Sequence, residues 1–198
     1  MFCDVAAGGA IDADGFTDPQ TGKQYVVYKV DGNSNGHGGC AANTADPIVP
    51  TPLILQEVSA TDGFTLIGTG TQIMTNLPED GPNVEAPALA YDASTETYIL
   101  FFNSGCFTST TYNVQYATSK SIFGTYTRGS SPLLVTGSTA ANVYIPGSLD
   151  VTPDGKKAIF HGDLNMGWFN NDGSRRVRGL YTVDISALAP VAQLGALQ

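Results

Sequence analysis

VEAPALAYDASTETYILFFNS, residues 84–104, holds the pattern from which the fold follows. It reads as a short apolar strand, a polar turn and a second apolar strand. The same order recurs in IDADGFTDPQTGKQYVVYKV, residues 11–30, and in YIPGSLDVTPDGKKAIFHGD, residues 144–163. Each copy is followed by a third strand, TPLILQEVS, YNVQYATSK or RGLYTVDIS, and then by a fourth short segment, FTLIGTGTQIM, GTYTRGSSPLL or PVAQLGALQ. Asp-Gly and Gly-Lys pairs separate strands in two of the copies, as tight hairpins require.

A copied unit of four antiparallel strands predicts an all-β chain built as propeller blades. The main rival is a β-sandwich, which also uses short strands but gives no reason for this repeated order. The reading is a single partial β-propeller domain over residues 1–198, with blades at approximately 11–75, 84–135 and 144–198. Propellers close with about four to eight blades, so about three do not complete a ring. Their two uncovered faces invite self-association, or completion by further blades.

Composition narrows the function classes. Hydrophobic residues make up 42% and charged residues 14%, too apolar for disorder and too sparsely charged for a helical bundle. A net charge of −9 repels nucleic acid and anionic membranes, and no apolar run approaches a membrane span. A neutral ligand such as a sugar suits this surface. The start, MFCDVAAGGAID, has neither the basic residues nor the long apolar stretch of a signal peptide. Cys3, Cys40 and Cys106 are odd in number, so at least one is free or paired outside the chain. No Cys or His pair has zinc-ligand spacing, and neither a metal nor a cofactor is expected.

Two carboxylates stand out. Glu85 lies in NVEAPALAY against small apolar residues, where an ionised group needs a partner or a task. Counting back from Tyr98 places Glu85 where counting back from Tyr25 places Asp12, and where the third copy has Ile145. Two carboxylates at one repeat position on innermost strands would converge on the axis. Desolvation and mutual repulsion would raise one pKa and leave the other group ionised, the arrangement of an acid–base pair acting on a sugar. Against this stands a plain structural role: Asp12 capping a turn together with Asp14, and Glu85 braced by Arg176 or Arg178.

Beyond these physical arguments, IDADGFTDPQTGKQYVVYKVDGN, GPNVEAPALAY, YILFFNSG, YATSKSIFGTYT and FHGDL before RGLYTVDI together resemble glycoside hydrolase family 43, in the order and spacing of its fungal secreted members. The resemblance implies a five-bladed β-propeller, extracellular location and inverting hydrolysis of arabinan, arabinoxylan or xylo-oligosaccharides. It implies that Glu85 is the general acid, that Asp12 tunes it and orients substrate, and that Arg178 reaches the sugar. The family's general base, an Asp of the first blade, has no match here, since Asp4 sits in a different context. By this resemblance the chain is N-terminally truncated and an incomplete catalyst. The alternative is a non-catalytic carbohydrate-binding or vestigial propeller fragment. An axial histidine found in some members is replaced in IPGSLDV, where Ser148 stands.

Other motifs weigh less. DGNSNG, residues 31–36, matches half a calcium loop, but its twelfth position is Ala42 and no helices flank it. The Gly-rich run after it reads as a rim loop with His37 as a minor sugar contact. Phe107, Tyr112, Trp168 and Phe169 lie in or beside polar loops where rings stack on sugars, Trp168 foremost. His161 reads as structural and Asp163 as turn chemistry. SRRVR, residues 174–178, balances local acids.

Overall fold

The computed structural model describes residues 3–35, 43–44, 47–137, 143–164, 177–186 and 193–194. Among the described residues twelve strands form three separate four-stranded antiparallel sheets. The first runs β1 (Ala10–Thr17), β2 (Gln24–Val30), β3 (Leu53–Val58) and β4 (Thr71–Met74). The second runs β5 (Val84–Asp92), β6 (Thr97–Ser104), β7 (Asn113–Ser119) and β8 (Thr127–Arg128). The third runs β9 (Tyr144–Val151), β10 (Lys157–Asp163), β11 (Arg178–Ser186) and β12 (Gln193–Leu194). Within each sheet the chain order is the spatial order, so each is a simple meander. Three stacked sheets are not a two-sheet sandwich. Among the described residues no α-helix occurs, only short 3-10 turns. Trp168, Phe169, His37, Cys40 and Arg176, singled out in the sequence, lie outside the described residues.

Period-two patterning drives the stacking. In β2, Tyr25, Val27 and Lys29 share the buried face. With Phe16, Leu53 and Leu55, Tyr25 and Val27 meet Leu89, Tyr91, Leu100 and Phe102 of the second sheet in one core. The opposite face of the second sheet, Ala88, Ala90, Ile99 and Phe101, meets Leu149, Ala158, Phe160 and Val183 of the third in another. The second sheet is thus covered on both faces, which is why YILFFNS is a continuous apolar run rather than an alternating one. The far face of the third sheet leaves Ile159 and Leu180 exposed.

Polar bolts cross these boundaries. Tyr98 donates to Asp18 Oδ1 at 2.9 Å, joining the second sheet to the β1–β2 turn. Arg128 donates to both oxygens of buried Asp80, at 2.6 and 2.7 Å, while lying over the Phe102 ring. Cys106 is in a disulfide and Cys3 is free and exposed.

A bulge recurs in the innermost strands. From Ile11 to Asp14 the chain advances three residues while β2 advances two, from Lys29 to Val27. The same step separates Glu85 from Ala88 against Asn103 and Phe101, and Tyr144 from Gly147 against Asp163 and His161. Each bulge carries a left-handed non-glycine residue: Asp12 (φ 55°), Ala86 (φ 49°) and Ile145 (φ 52°). Such a conformation costs about 1–2 kcal/mol apiece and is held by the surrounding ladder. Register therefore matches Asp12 with Ala86 and Ile145, and Glu85 with Ile11 and Tyr144. This corrects the repeat count by one residue. Tyr25 and Tyr98 are a faulty ruler, because Tyr25 shares its register with Ile99 once the bulges are aligned.

Candidate functional site

The three innermost strands converge on a depression of about 190 Å³ between residues 12–14 of β1, 86–88 of β5 and 148–150 of β9. The bulges of β1 and β5 lie at its lining, which is mostly of small and acidic residues with Leu149 among them. Asp12 Oδ2 accepts from Ala86 N at 3.0 Å, so the two bulge residues of neighbouring sheets are tied to each other. The next residue back, Glu85, therefore stands beside Asp12. The two carboxylates are neighbours, though through adjacent rather than equivalent register positions.

Glu85 is largely buried, its side chain 12% exposed. Oε2 accepts from Lys29 Nζ and from Asn83 Nδ2, each at 3.0 Å, and Oε1 accepts from the Tyr112 hydroxyl at 2.7 Å. Lys29 is a cation paired with it, where the sequence suggested an arginine; Arg176 lies outside the described residues. Lys29 is 1% exposed and also pairs with Asp31 Oδ1 at 2.8 Å. Asp31 thus serves the ammonium, and its stretch is a 3-10 turn over Gly32–Ser34 rather than half a calcium loop. Tyr112 is fully buried and is no stacking platform. Burial first, and then the Glu85 charge, push its phenol well above the usual range, with Arg178 acting in the opposite direction.

Burial raises the Asp12 carboxyl above its ordinary value, Glu85 raises it further and Asp31 adds to this, while the Ala86 amide and Lys29 oppose them. The upward push expected at this pair thus falls on Asp12, although its residue keeps solvent access. Asp14, deeper along β1, is pushed up to about 6, by burial first and by Asp150 second. Its Oδ1 accepts from its own neighbour, Gly15 N, at 2.8 Å rather than sharing a cap with Asp12. Arg178 opens β11 with its Nε 3.5 Å from Asp163 Oδ1 and is 40% exposed. Asp163 is buried on β10, not in a turn.

Acidic groups outnumber cations here: Asp31, Glu85 and Asp12 lie within reach of the Lys29 ammonium, and Asp14 and Asp150 line the depression beside them. A site of this kind holds a proton near neutrality and offers several acceptors to ligand hydroxyls. Among the described residues no three potential metal ligands cluster. A larger hollow, about 450 Å³, lies on the outer face of the third sheet near Lys157 and Asp184 and includes neither Glu85 nor Asp12.

Sequence reading missed Lys29 and Asn83, and took Tyr112 for a stacking ring rather than a donor to Glu85. Lys29 left a usable signal, since it continues the buried phase of Tyr25 and Val27, where a cation needs a buried acid. Tyr112 left none, being one aromatic among Thr and Ser.

No protein-family model and no curated protein sequence matches the chain. Solved structures do. A thermostable family-43 glycoside hydrolase aligns over 94% of this chain and 58% of its own, with a TM-score of 0.67 at 19% identity. An endo-1,4-beta-xylanase from Bacteroides thetaiotaomicron aligns over 95% and 59%, with 0.69 at 21%. An endo-1,5-alpha-L-arabinanase from Thermotoga petrophila aligns over 94% and 41%, with 0.58 at 17%. The chain therefore has the propeller-type fold of family-43 glycoside hydrolases and spans under two thirds of the length of these neighbours. At such identity the likeness is one of fold.

Proposed function

We propose that this chain carries the acid side of a glycosidase site acting by inversion on arabinose- or xylose-containing plant cell-wall glycans. The observation that supports it most is the coupled pair itself. Glu85, oriented by Lys29, Asn83 and Tyr112, stands beside Asp12 on the neighbouring innermost strand. The neighbours of this fold include an enzyme named for xylan and one named for arabinan. Glu85 protonates the leaving glycosidic oxygen, and Asp12 tunes that acid and orients the sugar. Arg178, Trp168 and His37 contact the sugar. A five-bladed ring, N-terminal truncation and extracellular location belong to the same proposal; the Cys106 disulfide favours an oxidising compartment.

Inversion also needs a carboxylate to activate water across the sugar ring. Asp4 is a poor candidate, because its Oδ1 accepts from Ala6 N within a turn. This favours a second reading, sugar binding without turnover, which the engagement of both Glu85 oxygens also favours. Calorimetric titration with arabino- and xylo-oligosaccharides, with product analysis of the same samples, separates the two. Binding with turnover that Glu85→Gln abolishes supports the glycosidase reading, and binding alone supports the second. Neither binding nor turnover by the folded chain overturns both.

A further inference from the structure

Lys29, Asn103 and Asp163 occupy one register position, the second-strand residue facing the start of the innermost bulge in each sheet. All three are buried. In the second sheet this position is a clip to the next sheet. Asn103 Nδ2 donates to Pro146 O at 3.2 Å, and its Oδ1 accepts from Ser148 N at 2.8 Å. A neutral amide thus suffices to join one sheet to the next. In the first sheet the same position reaches the next sheet with an ammonium instead, through Glu85. Burying an ion is costly even when it is paired, and a structural clip does not require one. The charge therefore answers to the carboxylates it faces: Glu85 of β5, Asp31 of the turn after β2, and Asp12 of β1 within electrostatic reach. Among the described residues, Tyr112, which donates to Glu85, and Arg178 beyond it also face this group.

We propose that Lys29 is a positioning residue whose charge ties Asp12, Asp31 and Glu85 into one electrostatically coupled cluster across the boundary between the first two sheets. The inference rests on the reading of Glu85 and Asp12 as the working pair. It is tested without turnover, so a chain that hydrolyses nothing still answers it, and loss of hydrolysis alone does not overturn it.

The measurement is a carbon-13 NMR titration of the Asp12 carboxyl in the 198-residue chain, alongside Lys29→Met and Lys29→Arg. Removing the ammonium deletes the opposing attraction, so the Asp12 midpoint in Lys29→Met rises by about one pH unit or more, while Lys29→Arg stays near the unmodified chain. A residue that only fills space would weaken the fold in Lys29→Met and leave the midpoint unmoved; that result overturns the proposal. If Lys29→Met does not fold, Asp31→Asn carries the test, because Asp31 is partly exposed. It removes a charge that raises Asp12 and leaves the ammonium to its other partners, so the Asp12 midpoint falls. An unchanged or higher midpoint overturns the proposal as surely.

Discussion

Asp14 shows how one carboxyl sets a pH dependence. In the unfolded chain it titrates near 3.8, and in the fold at about 6, so its ionisation opposes folding. The folded chain is favoured below the lower value and loses that advantage as pH rises through the higher one. Asp14→Asn should therefore be more stable than the unmodified chain at neutral pH, by about 1–2 kcal/mol after solvent screening, and no more stable in acid. Urea unfolding on both sides of that window checks it. Tyr112→Phe acts oppositely, leaving Glu85 Oε1 without its phenol donor in a closed site. A loss of about 1–3 kcal/mol in the same assay is expected. At this scale the sequence was half legible. Glu85 and Asp12 could be found because a carboxylate among small apolar residues is anomalous. Their true relation depends on a bulge that no residue type announces, since Asp12, Ala86 and Ile145 are not glycine.

At the scale of elements, the bulged strands separate strain from burial. Ser148, on β9, is exposed with φ 47°, and Ile145, on the same strand, is 1% exposed with φ 52°. Glycine relieves about 1–2 kcal/mol of left-handed strain in either place and adds roughly 0.5–1 kcal/mol of chain entropy to be lost. At Ser148 little else changes, so Ser148→Gly should be neutral or stabilising by up to about 1 kcal/mol. At Ile145 the lost burial is larger, about 2–5 kcal/mol by analogy with truncation to alanine, and Ile145→Gly should destabilise. Melting temperatures of the two variants should move apart. The second and third strands of each sheet could be read to within a residue or two, because alternation and hairpin chemistry are local; the fourth were read too long, only 71–74 and 127–128 of those segments being strand in the first two sheets. The turns gave less: Asp163 read as turn chemistry and lies buried on a strand, its role set by Arg178 from β11.

For the whole molecule, the second sheet is the keystone. Phe101 points into the core shared with the third sheet, and Phe102 into the core shared with the first. Either Phe→Ala change removes about 3–5 kcal/mol. Because both cores share β6, either variant should lower one common transition rather than split it in two. Coincident far- and near-ultraviolet dichroism melts would bear this out, and two separated transitions would count against it. The copied order of strands made the stacked-sheet architecture legible, since each unit buries its face only against a neighbour. The number of units in a complete ring is not written in any one of them.

The most direct test is release of p-nitrophenol from the α-L-arabinofuranoside and the β-D-xyloside by the purified chain, with Glu85→Gln measured beside it. The account predicts that whatever turnover the unmodified chain shows is abolished in Glu85→Gln without unfolding it, and that a folded chain with no turnover still binds the sugar, as the second reading has it. Turnover that survives in Glu85→Gln would contradict the role given to Glu85.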